Sequence, residues 1–281
     1  MAHNVESLIW QRYAETEPHP LKRWYVRRQW RKFERFEGSA YSAATRTVAV
    51  SPVEAALMRK HFGAVRVDVV DNGVDTEYFH PQNTPRDPFR ILFLGSLDWR
   101  PNLDAVRLLL EAIFPQVRAQ ERRAQLVIVG RNPPDWLREH VCASDRIELH
   151  ANVADVRPFL WQAGMLAVPL RIGGGSRLKI LEALATGLPV VSTRIGAEGL
   201  ALEADRHIAI TDGPDGIPEA LLGAMHDPGR MRAMAEYGRE RVLERYDWDA
   251  LAERLEEVWF SCAAQTRKPI EQTLALENQR T

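Results

Sequence analysis

The chain has 281 residues, 45% of them hydrophobic and 27% charged, with a formal net charge of −1. That composition makes a globular protein with one large core or two smaller ones, and no whole-molecule field draws it to nucleic acid or to a membrane. Cys142 and Cys262 stand far apart without histidines at ligand spacing, so neither a disulfide framework nor a zinc site is indicated and a reducing cytoplasm is expected. No run is long and apolar enough to span a bilayer, and the amino-terminal residues are too polar and aromatic for a signal-peptide core.

In chain order, the first element is an amphipathic helix from Leu21 to Glu37, with Leu21, Tyr25, Trp30, Phe33 and Phe36 on one side and Arg23, Arg27, Arg28, Arg31 and Arg35 on the other. Two roles suit it. It is either a peripheral contact with anionic lipid headgroups or a helix packing its apolar side on its own domain. No nucleic-acid module accompanies it, so no nucleic-acid partner is expected. Thr47–Val50 and Val65–Val70 read as strands, and Pro52–His61 as a helix capped by Ser51 with proline at its first position. The turns DNGVD and HPQNTPRDP then lead to a domain boundary near Pro81–Pro88.

From Phe89 onward, short β-rich runs alternate with helical patterns. FRILFLG precedes a helix at Asn102–Ala119, AQLVIVG precedes a short helix around Trp136, and further strands are expected at Arg146–His150, Met165–Pro169, Pro189–Thr193 and His207–Ile210. Helices are expected at Val156–Gln162, Ser176–Thr186, Ile217–His226, Pro228–Tyr246 and Asp249–Phe260. The alternation predicts a parallel sheet with helices on both faces, its ligand edge at the carboxyl ends of the strands. Gly95, Gly130 and Gly173, Gly174 and Gly175 gather at that edge. From Ala263 to Thr281 the periodicity fades and a disordered tail is expected.

The segment PLRIGGGSRLKILEALATGLPVV, Pro169 to Val191, carries the most chemistry. Gly173, Gly174 and Gly175 leave their amides approachable, and Ser176 suits the N-cap of a helix whose first-turn amides favour an anion. Arg177 and Lys179 add positive charge for a diphosphate, and Glu182 suits a ribose diol. The same residues also read as a glycine turn, an ordinary cap and a Lys179–Glu182 pair on a solvated face.

Other readings fare worse. Leu178 stands where a dinucleotide fingerprint needs its third glycine, and no P-loop pattern exists. Asp247-Trp248-Asp249 imitates a metal-binding acidic triplet but sits where an aspartate caps a helix, so no metal is expected.

AVSPVEAALMRKHFGAVRVDVVDNGVDTEYFHP, ILFLGSLDWRPNLDAV and GGGSRLKILEALATGLPVVSTRIGAEGL together resemble the large retaining glycosyltransferase family, glycosyl transferases group 1, which takes nucleotide-diphospho-sugar donors and has the two-domain GT-B fold. The resemblance runs from about Ala2 to Phe260 and implies an α/β GT-B architecture. Residues 1–82 would be a partial acceptor-side domain and linker, residues 83–262 a Rossmann-like donor domain, and residues 263–281 the tail. It implies a retaining hexosyl transfer to a glycan or lipid-linked acceptor, with no cofactor besides the donor. The diphosphate would meet Gly173, Gly174, Gly175, Ser176, Arg177, Lys179, Gly95, Ser96 and Arg100; Glu182 would hold the ribose, and the backbone near Asn152 and Val153 the base.

Three departures qualify it. Gly174 stands where the family often has a sugar-contacting glutamate, and Ser96 and Pro101 stand where phosphate-binding Arg and Lys are common. Arg177 and Lys179 resemble the substitutes in a subgroup with a GGG-x-RLK pattern associated with bacterial exopolysaccharide assembly. The amino terminus, MAHNVES, matches the interior of the acceptor-side domain, so roughly its first half is expected to be absent, with His3 and Glu6 as candidates for bordering the reaction centre. Two functions follow: a cytoplasmic sugar transferase, peripheral to the membrane if the 21–37 helix touches it, or a catalytically incompetent nucleotide-sugar-binding remnant or partner-dependent subunit.

Overall fold

The computed structural model describes residues 1–142, 144–173 and 177–278, with side chains described through Ala263. The chain opens with helices α1 (Glu6–Thr16) and α2 (Pro20–Ala43), then strand β1 (Thr47–Ala49), helix α3 (Pro52–Phe62) and strand β2 (Val67–Val69). β1 and β2 pair in parallel, and Ala2 bridges to Ala49 beside them. Ser51 caps α3 as the sequence predicts: its Oγ accepts from the Glu54 amide at 3.2 Å, Pro52 follows, and Gly63 closes the helix at φ 65°. Val5, Ala49, Ala55, Met58, Phe62, Ala64 and Val67 form the core of this unit.

α1 is absent from the sequence expectation. Its fully buried residues are Ser7 and Ala14, and Leu8 and Trp10 are half-buried, so it presents no continuous apolar stripe for periodicity to detect. α2 corrects a second expectation. Val26 and Glu37 are buried and Trp30 and Phe33 half-buried, whereas Leu21, Tyr25 and Phe36 stand on the solvent side with the arginines.

The second unit alternates β3 (Asp87–Leu94), α4 (Arg100–Leu108), a π-helical turn at Leu109–Ile113, α5 (Phe114–Gln120), β4 (Gln125–Gly130), α6 (Asp135–Cys142), β5 (Ile147–Ala151), α7 (Arg157–Gln162), β6 (Ala163–Val168), α8 (Leu178–Ala185), β7 (Val190–Thr193) and β8 (Ala209–Thr211). The expected single helix from Asn102 to Ala119 is thus divided. Pro115 has no N–H to continue an α ladder, and the π turn, with the Phe114 amide on the Leu109 carbonyl, shifts the frame just before it.

All pairs are parallel, in the order β5-β4-β3-β6-β7-β8. The core is continuous, from Ile91–Leu94 and Leu126–Val129 through Met165–Val168 and Leu181 to Val190 and Val191. This order reverses direction between β3 and β6, the switch point at which such sheets open a crevice at the strands' carboxyl ends. Gly130 fits the edge because a Cβ there would overlap the Gly95 carbonyl.

Helices α9 (Ile217–His226), α10 (Pro228–Arg245) and α11 (Trp248–Asn278) close the chain. α11 returns to the first unit, where Leu251 joins Val48 and Val70, with Leu255 and Val258 against them. Arg245 pairs with buried Asp71 at 3.1 Å, and the Val74 amide donates to the Tyr246 carbonyl at 2.8 Å. Asp247 accepts from the Asp249 amide at 3.0 Å and from Thr76, as a helix cap would. The tail expected to be disordered from Ala263 instead continues α11 as helical backbone to Asn278, a stretch that retains helix formers such as Ala, Gln, Leu and Glu.

Candidate functional site

The crevice between β3 and β6 is built around Lys179. The residue lies in the first turn of α8, and its ammonium donates to Asn102 Oδ1 at 2.9 Å, 4.8 Å from the centre of the Phe93 ring. Buried Asn102 is itself fixed by a 2.8 Å bond from its Nδ2 to the Ser96 carbonyl. Gly95 lets this group reach the strand end, since an added Cβ would lie 2.9 Å from Lys179 Nζ and 2.7 Å from Asn102 Nδ2. Desolvation, reinforced by the neighbouring Arg177 charge, pulls the Lys179 pKa down to about 7, with Glu182 opposing.

Glu182 is half-buried one turn further along α8, and burial raises its carboxyl pKa while Lys179 counters. The pair thus places an ammonium and a carboxylate on one helix face above the switch point. Arg177 precedes α8 and is buried against Gly173. Desolvation lowers its pKa to about 10, opposed by the Glu198 and Glu54 carboxylates, so it stays charged at neutral pH.

α1 reaches across from the first unit. Arg12 holds Glu198 by two bonds, 2.6 Å to Oε2 and 2.8 Å to Oε1, and also donates to the Gly173 carbonyl. Arg100, at the start of α4, turns toward the same helix. It donates to the Tyr13 hydroxyl, pairs with Glu17 at 2.7 Å, and lies 3.1 Å above the Tyr13 ring.

The remaining expected residues divide. Ser96 Oγ donates to Asp98 at 2.7 Å, and Asp98 accepts from Asn132 Nδ2 at 2.8 Å; these two bonds hold the Asp98 carboxyl below its ordinary range. Asn132 and Asn152 both have positive φ, 52° and 56°, and the Asn152 side chain accepts from the Asn132 amide at 3.0 Å. Loops after β3, β4 and β5 are therefore tied into one rim, with half-buried Val153 against the core beneath it. Gly174, Gly175 and Ser176 lie outside the described residues.

His3 is exposed, and Glu6 bonds through its amide to Glu37 at 2.6 Å and through its carboxylate to Asn4 at 3.4 Å. Among the described residues neither makes a hydrogen bond or ion pair with the crevice. Sequence reasoning missed Asn102, Arg12 and Glu198. Asn102 lies in the run RPNLDAV, where an asparagine in the first turn of the helix after a strand was the available signal; Arg12 lies on the helix without a stripe.

A surface cavity of about 500 Å³ is lined by residues such as Leu110, Phe114, His140 and Ile147 and includes none of Gly95, Lys179 and Glu182. Among the described residues no group of three or more His, Cys, Asp or Glu is placed to hold a metal ion, and no helix is long and apolar enough to cross a membrane.

Two family models match adjacent stretches: Glycosyltransferase Family 4 over residues 2–78 and Glycosyl transferases group 1 over residues 88–227. A GDP-mannose-dependent alpha-(1-6)-phosphatidylinositol monomannoside mannosyltransferase of Mycobacterium tuberculosis is 28% identical over 223 residues, covering 68% of this chain and 55% of that protein. An MMP alpha-(1->4)-mannosyltransferase of Mycolicibacterium hassiacum is 31% identical over 196 residues, covering 66% and 46%. The chain spans about half the length of the curated relatives it matches. Among solved structures, sucrose-phosphate synthase of Thermosynechococcus elongatus superposes with a TM-score of 0.71 at 21% identity, covering 84% of this chain and 62% of that one. Anabaena HepE in complex with UDP-glucose gives 0.66 at 15%, covering 82% and 68%. These similarities establish the GT-B fold.

Proposed function

From the premise that both units of this chain are glycosyltransferase domains, we propose that it transfers a sugar from a nucleotide-diphospho-sugar to a glycan or lipid-linked acceptor, with retention at the sugar carbon. The supporting observation is Lys179, held by Asn102 against Gly95 at the switch point, with Glu182 one turn further on the same helix. The donor diphosphate lies over Lys179 and the first-turn amides of α8, and the ribose diol donates to Glu182. As the bond from the sugar carbon to the diphosphate breaks, negative charge develops on the departing oxygen, and a preorganised ammonium stabilises it. The acceptor oxygen forms the new bond to that carbon on the face the diphosphate leaves, which retains the configuration, and its proton passes to the departing diphosphate oxygen.

We read the pathway as bacterial exopolysaccharide or cell-envelope polysaccharide synthesis, on the GGG-x-RLK pattern alone. The second reading, binding without turnover or turnover only with a partner, is favoured by the first unit, whose sheet has two strands among the described residues. Calorimetric titration with UDP and with GDP, followed by donor hydrolysis and transfer assays, separates the two. Binding with turnover supports the enzyme, and binding without it supports the second reading. Failure to bind either nucleotide, or unchanged affinity in Lys179→Ala and Glu182→Ala, overturns the site.

A further inference from the structure

Helix α2 has two unlike sides. Inward, Val26 is buried and Phe33 stacks on Trp10 of α1 with ring centres 5.5 Å apart. Outward, Leu21, Trp24, Tyr25 and Phe36 are 74%, 62%, 54% and 69% exposed. Lys22, Arg27, Arg28, Arg31, Lys32 and Arg35 stand exposed among them. The helix's carboxylates are elsewhere: Glu37 is buried on the amides of Glu6 and Ser7, and half-buried Glu34 pairs with His61 at 2.8 Å. The solvent side of α2 thus carries six cations and four bulky apolar groups without one exposed acid.

We propose that this side of α2 docks flat on an anionic lipid surface. Leu21 and Phe36 mark its two ends, roughly 22 Å apart along the helix axis. Leu21, Trp24, Tyr25 and Phe36 enter the boundary between headgroups and acyl chains, and the six cations meet lipid phosphates. Arg28, whose guanidinium lies 5.9 Å from the Trp24 ring, brings charge and aromatic surface to the same depth. Charge complementarity fixes the sign of the partner, and apolar groups at both ends select a surface with a hydrocarbon layer. A polynucleotide would satisfy the cations and leave Leu21 and Phe36 in water. The proposal stands independently of the transfer reaction.

The test is co-sedimentation of the whole chain with phosphatidylglycerol-containing vesicles and with pure phosphatidylcholine vesicles. Partition to the anionic vesicles that falls with salt is expected. Each surface cation contributes about a fivefold gain, so Arg28→Gln, Arg31→Gln and Arg35→Gln together lower partition about a hundredfold. Trp24→Ala removes most of the vesicle-induced blue shift in fluorescence. The charges replaced are exposed, and an unchanged melting temperature confirms folding. Absence of binding, equal partition to both vesicles, unchanged partition in the triple variant, or tighter binding to polyuridylate overturns the proposal.

Discussion

The Arg12 guanidinium grips the Glu198 carboxylate with both of its terminal nitrogens, at 2.6 and 2.8 Å, and so fastens the first helix of one unit to the loop after β7 of the other. Both groups are mostly shielded, 17% and 30% exposed. A bidentate pair in that setting contributes roughly 1–2 kcal/mol. In a double-mutant cycle with Arg12→Ala and Glu198→Gln, read by urea unfolding, a coupling of about that size is expected. Additive single effects would show that the pair does not join the units.

In the proposed donor site, Lys179 is expected to make nucleotide binding pH-dependent. Its pKa near 7 in the free protein rises when a diphosphate arrives, so above neutrality binding takes up a proton. Affinity for UDP or GDP is therefore expected to fall as pH rises above about 7, by up to about tenfold per unit, and to lose this dependence below it. Calorimetry at pH 8 in buffers of different ionisation heat reads the uptake directly. Lys179→Ala is expected to abolish it.

Asn102 is the positioning partner of that lysine. Asn102→Ala removes two bonds from a buried site and is expected to cost roughly 1–3 kcal/mol of stability and to weaken nucleotide binding. Asn102→Asp places a carboxylate beside the ammonium and raises its pKa, so the pH dependence of binding moves to the alkaline side. A shift in the opposite direction would mean that the two side chains do not act together.

Gly130 is held by its neighbours rather than by its own conformation. A Cβ there would meet the Gly95 carbonyl and approach Leu97 Cγ to 2.7 Å, so Gly130→Ala is expected to destabilise by about 1–3 kcal/mol and to displace the Gly95 loop. A lowered melting temperature with weaker nucleotide binding checks both effects. Gly223→Ala, where nothing lies within 4 Å, serves as the control.

The strand rhythm from Phe89 made the parallel sheet legible, because each buried strand is a short apolar run closed by a turn or a cap. Gly95, Lys179 and Glu182 were legible for the same reason: strand ends and the helix start fix where they must lie. The Arg12–Glu198 pair was not, since its partners are 186 positions apart and one sits on a helix whose fully buried residues are Ser7 and Ala14. Nor was the orientation of α2. Periodicity separates two faces but does not say which meets a neighbour, and Trp10 on α1 selected the face of Phe33. Arg100 illustrates a further limit. The family resemblance assigned it to the diphosphate, and nothing in the sequence announced that Tyr13 and Glu17 offer it a ring and a carboxylate.

The return of α11 to the first unit gives the molecule a further seam, besides the connection over residues 70–86 and the contacts of Arg12 and Arg100. Leu251 completes a core begun by Val48 and Val70, so the last helix belongs to one unit by sequence and to the other by packing. The packing of β1 and of the stretch after β2 is therefore completed by the far end of the chain. Removing the chain from Trp248 onward would uncover Val48 and Val70, at the opposite end of the sequence.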